Sequence, residues 1–476
     1  MRDEISRLLV SRMNIIYPPY VDPQFQTLFE RIHSPRVCID NDTCRDCTLV
    51  KVDSANKHGL LLEMVQVLTD LDLVISKSYV SSDGGWLMDV FHVTDQLGRK
   101  LTDEGLIRFI QQAVEARREE DAKEVRTCLG RIVGAKLPAQ YTVFEMTGTD
   151  RPGLLSEISA VLKDMNCNVV SAHLWTHNAR MACIAFVTDC TTSKPITDLE
   201  RLDLLRDQLC NVLRINNGCR DERRAVRAMV LSRLTHAERR LHQMMFEDKD
   251  YEGVGGADDR KKQDGVGTTV SIDHCQERSY SVVTVLSRDR PKLLFDTVVT
   301  LTDMKYVVFH AAISSKGSLA IQEYFVRHMD GCTLNTESEK RRVVKCLEAA
   351  IERRNTQGLR LDVRTYDRIG LLTDITRVFR ENGLMVTRAE VSTSGDSVSD
   401  TFFVTDSSGN DIDYETIDRI RQEIGNVEVI TSCNLVKRSN STANGNGQER
   451  PSFFSIGNLL WSQLERFSGN FGSIKS

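Results

Sequence analysis

No apolar run in the 476 residues approaches the roughly 18 that a membrane-spanning helix needs, so no membrane span is expected. Neither sign of charge dominates. The 62 Lys and Arg stand against 67 Asp and Glu, a net charge of −5, which speaks against a chain built to neutralise nucleic-acid phosphates. The opening Met1-Arg2-Asp3-Glu4 lacks the cationic-then-apolar order of a signal peptide, and its early acids are unlike a transit peptide. There is no Gly-x-Ser-x-Gly, no His-Glu-x-x-His and no P-loop, so catalysis is not expected. Cys44-Arg45-Asp46-Cys47 has zinc spacing but no second pair at finger or ribbon distance. Two ordinary thiols, with no metal and no cofactor, are expected there. His173 and His177 share one face of a predicted strand without a third ligand and read as surface histidines. Gly253-Val254-Gly255-Gly256 follows no strand and opens no helix, unlike a dinucleotide fingerprint. Arg220, Arg223, Arg224, Arg227 and Arg233 read as a solvated basic face.

What is present is a folding composition: 41 % hydrophobic and 27 % charged residues, in a length that suggests about three domains. The 13 cysteines, an odd number scattered from Cys38 to Cys433, read as free thiols in a reducing compartment, cytosol or nucleus.

The chain is built on internal repeats. Four segments share a strand, a polar turn and a helix opening with paired leucines. The turns are Asn56-Lys57-His58-Gly59-Leu60-Leu61, Asp150-Arg151-Pro152-Gly153-Leu154-Leu155, Asp289-Arg290-Pro291-Lys292-Leu293-Leu294 and Asp367-Arg368-Ile369-Gly370-Leu371-Leu372. Each helix is amphipathic and precedes two strands joined by a hairpin and then a second helix. That is the βαββαβ order of a ferredoxin-like α+β domain. One constant offset lays repeat three on repeat one, and another lays repeat four on repeat two, so a two-domain unit has been duplicated. Repeats one and three lack a last strand in the usual place, yet Val37-Cys38-Ile39-Asp40 and Val270-Ser271-Ile272-Asp273 precede them. A circularly permuted edge strand is expected in both. The divisions expected are an N-terminal extension (1–35), domains at 36–130, 138–232, 268–356 and 357–436, a helix and linker at 233–267, and a tail with an apolar segment at 437–476.

The element order, the Asp-Arg-Pro-Gly-Leu-Leu turn and the Val-Thr-Asp after the hairpin together resemble the ACT domain, a small regulatory module that binds amino acids. Four such modules without an enzyme resemble the plant ACT-domain repeat proteins, and by pattern also the tandem ACT domains of bacterial uridylyltransferase/uridylyl-removing enzymes. The resemblance implies four ferredoxin-like ACT domains in two pairs, and a free amino acid, with glutamine the candidate, as ligand. It further implies an unnamed protein partner, a possible homo-oligomer, and sites between side-by-side domains that neighbouring strand residues such as Ser76, Ser171, Thr387 or Arg388 complete.

Independently of family, a glycine at a helix start lets a ligand approach the backbone, and first-turn N–H groups at the positive end of the helix dipole hold a carboxylate. Gly59 and Leu60, Gly153 and Leu154, and Gly370 and Leu371 are the candidates, with Asn56, Asp150 and Asp367 as acceptors for an α-ammonium. Asp before Pro-Gly is equally a helix N-cap that needs no ligand, and both readings stand. Repeat three, with Lys292 in place of glycine, is expected to bind nothing.

Overall fold

The computed structural model describes residues 36–55, 58–83, 86–115, 125–127, 132–133, 141–214, 226–231, 236–252, 267–275, 279–354, 358–394, 397–410, 412–424 and 428–432. Asn56, Gly253-Val254-Gly255-Gly256, the tail and all of the basic stretch but Arg227 lie outside them.

Repeat one runs β1 (Arg36–Asp40), β2 (Thr48–Ala55), α1 (Leu60–Asp70), β3 (Val74–Asp83), β4 (Trp86–Thr94) and α2 (Glu104–Glu115). A small ladder of β5 (Val125–Arg126) and β6 (Ile132–Val133) leads to repeat two. That repeat has β7 (Tyr141–Thr149), α3 (Leu154–Asp164), β8 (Cys167–His177), β9 (Arg180–Asp189), α4 (Leu199–Arg214) and β10 (Val226–Leu231). A connecting helix, α5 (Ala237–Glu247), and a 3-10 turn (Asp250–Glu252) follow. Repeat three is β11 (Thr269–Cys275), β12 (Tyr280–Arg288), α6 (Leu293–Asp303), β13 (Tyr306–Lys316), β14 (Leu319–His328) and α7 (Glu337–Glu352). Repeat four is β15 (Leu359–Tyr366), α8 (Leu371–Glu381), β16 (Leu384–Ser394), β17 (Ser397–Asp406), α9 (Tyr414–Ile424) and β18 (Glu428–Ser432).

The fold is the expected one of paired ferredoxin-like domains, and the pairing crosses the duplication. One eight-stranded sheet has the order β1-β2-β4-β3-β13-β14-β12-β11 and joins repeat one to repeat three. The other, β10-β7-β9-β8-β16-β17-β15-β18, joins repeat two to repeat four. Like meets like about a pseudo-twofold axis: Tyr79 faces Ala312 in the first sheet and His173 faces Glu390 in the second. The permuted edge strands are as expected, β1 pairing antiparallel with β2 and β11 with β12, in the place that β10 and β18 take in the other two repeats.

Each sheet packs helices on one face, the first over a core that includes Leu68, Phe91, Val299 and Tyr324, the second over Phe144, Ile158, Phe379 and Phe402. The other face of the second sheet is covered by α5, where Leu241, Met244 and Met245 pack on Val143, Ile184 and Trp175. The helices of the first pair stack there too, and this explains α6. Leu293 to Leu301 are buried without a break, whereas α8, with solvent on one side, alternates. A helix that is apolar on most faces lies between layers. The junction carries a buried ion network. Arg353 holds Asp250 through two bonds of 2.7 and 2.6 Å, and Arg354 bonds both Asp296 (2.7 Å) and Glu238 (2.8 Å) while lying over Trp175.

The two histidines are not surface residues. His177 Nδ1 meets Asp250 Oδ2 at 2.9 Å, which raises its pKa against the opposing effect of burial, and burial lowers that of His173. The bare face on which that strand ends is covered by α5 and its 3-10 turn, which the strand pattern does not show.

Candidate functional site

All four turns end on a left-handed residue that starts the helix: Gly59 (φ 89°), Gly153 (79°), Lys292 (66°) and Gly370 (81°). Among the described residues no side chain caps α1, α3, α6 or α8, so Asp150, Asp289 and Asp367 are not N-caps, in contrast to Thr336 on α7. Asp150 instead points back beside β8, where the Arg151 N–H and the Thr176 hydroxyl favour its charge and burial pushes its pKa up to about 6.

Two of the turns form crevices, one at each end of the antiparallel α3–α8 contact. At the middle of that contact Ser159 and Thr376 share a 2.9 Å hydrogen bond, and the Thr373 hydroxyl donates to the Ser159 carbonyl. The second-repeat crevice, open to solvent, is lined by Asp150, Arg151, Gly153, Leu154, Leu155 and Ser156 of its own turn, and by Thr376, Phe379, Arg380, Leu384 and Val386 of repeat four. The fourth-repeat crevice has the matching set: Asp367, Arg368, Gly370, Leu371, Leu372 and Thr373, with Ser159, Lys163, Cys167, Asn168 and Val169 of repeat two. The neighbour's helix end reaches over each glycine. A Cβ on Gly153 would stand 2.9 Å from Arg380 Cδ, and one on Gly370 would stand 2.7 Å from Lys163 Nζ. Charge is organised alike in both. Arg151 forks onto Glu157 with bonds of 2.7 and 2.5 Å, Arg368 pairs with Asp374, and Lys163 Nζ lies 3.7 Å from Asp374.

Two expectations change. The N–H groups of Leu154 and Leu371 are bonded to the Arg151 and Arg368 carbonyls (3.2 and 3.0 Å), so the first-turn groups open to a ligand move one residue on, to Leu155 and Ser156 or Leu372 and Thr373, all of which line the crevices. Ser76, Ser171, Thr387 and Arg388 line neither crevice. Ser76 and Thr387 sit at β-bulges and their hydroxyls donate to the His92 and Phe403 carbonyls, Ser171 donates to Val391, and Arg388 pairs with Glu390. Arg380 and Lys163 are the neighbour's contribution instead, and nothing in their own helices marked them.

The other turns differ. Gly59 has open space where a Cβ would be. Lys292 turns to Glu238 on α5 (2.6 Å), so the third turn is tied into the ion network rather than left open. Cys44 and Cys47 sulfurs stand 3.1 Å apart, and no group of three or more His, Cys, Asp or Glu among the described residues is placed to hold a metal ion. No helix among them is long and apolar enough to cross a membrane.

Comparison with known proteins agrees with this architecture. Residues 43–121 match the ACR family N-terminal ACT domain, and residues 142–202 and 360–425 match the ACT domain. The chain is 51 % identical over 451 residues to the ACT domain-containing protein ACR3 of Arabidopsis thaliana, covering 94 % of this chain and 98 % of that one. It is 48 % identical over 464 residues to ACR5 of the same plant, covering 97 % and 99 %. A shorter match, 37 % over 78 residues, joins 16 % of this chain to 8 % of the bifunctional uridylyltransferase/uridylyl-removing enzyme of Azospirillum brasilense. With four left-handed turns on paired ferredoxin-like domains, and identity over nearly its whole length to such relatives, this chain belongs to the ACR family of ACT-domain proteins.

Proposed function

We propose that the chain is a regulatory protein without catalysis of its own, which binds free amino acids in the second- and fourth-repeat crevices and passes their occupancy to a protein partner. The observation that carries this reading is the repeated construction: one turn, one helix start and one basic side chain from the neighbour, in two copies about one axis. A helix start beside Arg380 or Lys163 suits a carboxylate, and Asp150 or Asp367 suits an ammonium, so the two halves of an amino acid have complementary groups. Occupancy bears on how repeats two and four sit together, since each crevice has a wall from both. The likeness over 78 residues to a uridylyltransferase/uridylyl-removing enzyme makes glutamine, and with it nitrogen status, a signal to test. Calorimetry of the whole protein against the twenty amino acids tests the reading. Binding that weakens about tenfold in Asp150→Asn or Asp367→Asn supports it, and no binding at millimolar concentration refutes it.

A second reading, an interaction scaffold, draws on the first sheet. Among the described residues no element packs on its outer face, where Tyr280, Phe309 and His310 cluster and Ile321 is 38 % exposed. Pull-down partners that survive loss of both crevices would favour it.

A further inference from the structure

Aligned on their turns, the four repeats bury one residue of the strand after the hairpin at a common place: Asp89, Cys183, Gln322 and Asp400. All are at most 1 % exposed. The fold itself does not need an acid there, because repeats two and three close over cysteine and glutamine with the same backbone. In the fourth repeat the acid has a use within reach. Asp400 lines the crevice with Asp367 and accepts the Ser392 N–H at 3.2 Å, and the cations among the residues lining that crevice are Arg368, which is paired with Asp374, and Lys163. The wall above it is short: Val391 and Val398 stand where the second-repeat crevice has Leu174 and Met181. With the shorter pair the Asp400 carboxyl, 1 % exposed, is part of the crevice lining, whereas beneath the larger pair Cys183 is not.

We propose that Asp400 is a specificity-determining residue that makes the fourth-repeat crevice a site for an amino acid with a cationic side chain, while the second-repeat crevice takes an amino acid with an apolar one. The proposal rests on the reading of the crevices as amino-acid sites. In the fourth-repeat crevice the ligand carboxylate meets the start of α8 and Lys163, its α-ammonium meets Asp367, and its side-chain cation reaches Asp400. The flexible end of Lys163 lies over Gly370 and must shift to admit the ligand. In the second-repeat crevice Leu174, Met181 and Phe379 hold an apolar side chain, and Cys183 offers no charge beneath them. The two sites then report two different metabolite classes in one chain.

Calorimetry on the full chain with L-lysine, L-arginine, L-leucine, L-methionine and L-glutamine decides this. The expected result is one equivalent each of a basic and an apolar amino acid bound without competition, the basic one lost in Asp367→Asn and the apolar one in Asp150→Asn. Asp400→Cys installs the residue the second repeat already accommodates, and Asp400→Asn keeps the shape. Both should weaken the basic ligand at least tenfold and leave the apolar one unchanged, with circular dichroism melts showing a folded chain. Basic and apolar ligands competing for the same crevice, glutamine binding both alike, or lysine affinity unchanged within twofold in both Asp400 variants would overturn the proposal while leaving amino-acid binding intact. No heat with any amino acid would overturn the proposal and the reading beneath it together.

Discussion

Asp400 carries a cost in the empty protein, and its sign can be worked out. Burial, with the negative charge of Asp367, raises its pKa from the ordinary 3.8 to about 7, against the Ser392 N–H that lowers it. The folded state therefore prefers the neutral acid. The stabilisation is whole below about pH 4 and is lost as pH climbs through 7. Asp367, Arg368 and Lys163 are the charged groups that share its crevice. Thermal melts should show Asp400→Asn gaining on the wild type between pH 5 and pH 8, at roughly 2–4 °C for each kcal/mol removed. Equal melting curves across that range would mean that Asp400 is not buried uncharged. A cationic ligand reverses the preference, so its affinity should rise over the same interval. Lys292 poses the opposite case. Its ammonium neutralises the buried Glu238 in company with Arg354, which is why the carboxyl of Glu238 stays far below the usual range despite burial. Lys292→Gly relieves a left-handed non-glycine residue but leaves Glu238 half-neutralised. Urea denaturation should show a net loss of about 1–3 kcal/mol. Ligand stoichiometry should not change, because Lys292 binds α5 rather than covering an otherwise complete site.

At the scale of elements, the turn glycines separate conformation from crowding. A side chain at Gly59 meets open space, so Gly59→Ala should cost about 1–2 kcal/mol for left-handed backbone alone. At Gly153 and Gly370 the same change also displaces Arg380 or Lys163, and chemical denaturation should register a larger loss. Equal costs at all three would show that the neighbour's basic side chain is not seated over the glycine. The connecting helix α5 is a second test. Leu241, fully buried, fixes it to the back of the second sheet, and Leu241→Ala should cost about 2–4 kcal/mol. Beside it, His242 is kept neutral to a pKa of about 4 by burial. Arg353 donates to Nδ1 (2.9 Å) and the other nitrogen meets Asp296 (2.8 Å), so Nε2 carries the proton. Much of this was legible in the residues. The four turns, the amphipathic helices and the doubled Val-x-Ile-Asp edge strand carry their geometry in local pattern, because a strand's period and a turn's glycine are properties of neighbours along the chain. Arg380, Lys163 and Asp400 act across distance, and no spacing rule relates a helix end in one repeat to a glycine in another. The covered back face that buries His177 was hidden for the same reason.

For the whole molecule, the crossing of the pairs matters more than any one contact. Among the described residues, repeats one and two do not form a sheet with each other. Each lends its β3 or β8 edge to a partner in the other half, through ladders running from His310–Ser81 to Ser314–Lys77 and from Arg388–Trp175 to Ser392–Ser171. A half-chain ending after α5 therefore exposes two unpaired central strands. Because repeat three has the build of repeat one, and repeat four that of repeat two, a second copy of the half offers near-equivalent edges. Light scattering after size exclusion should find residues 36–252 as a dimer or larger, and adding residues 267–432 should convert it to a one-to-one complex. A monodisperse monomeric half would contradict the crossed pairing. The duplication alone could not reveal this arrangement, since neighbours in sequence and relatives in type predict the same turns, helices and strand periods.

That crossing also sets a timetable on the ribosome. The strand β3 ends at Asp83 and its partner β13 at Lys316, so at ~5–20 residues per second the two are separated by roughly 10–50 s of synthesis. Throughout that interval the nascent chain presents an open β-edge with Tyr79 and Val80 on it, and soon a second at β8, before any self-complement exists on the same chain. On a polysome, the nearest matching edge belongs to the neighbouring nascent chain. Codon changes that slow translation between the halves should thus raise the fraction of interchain-paired product without altering a single residue of the finished protein.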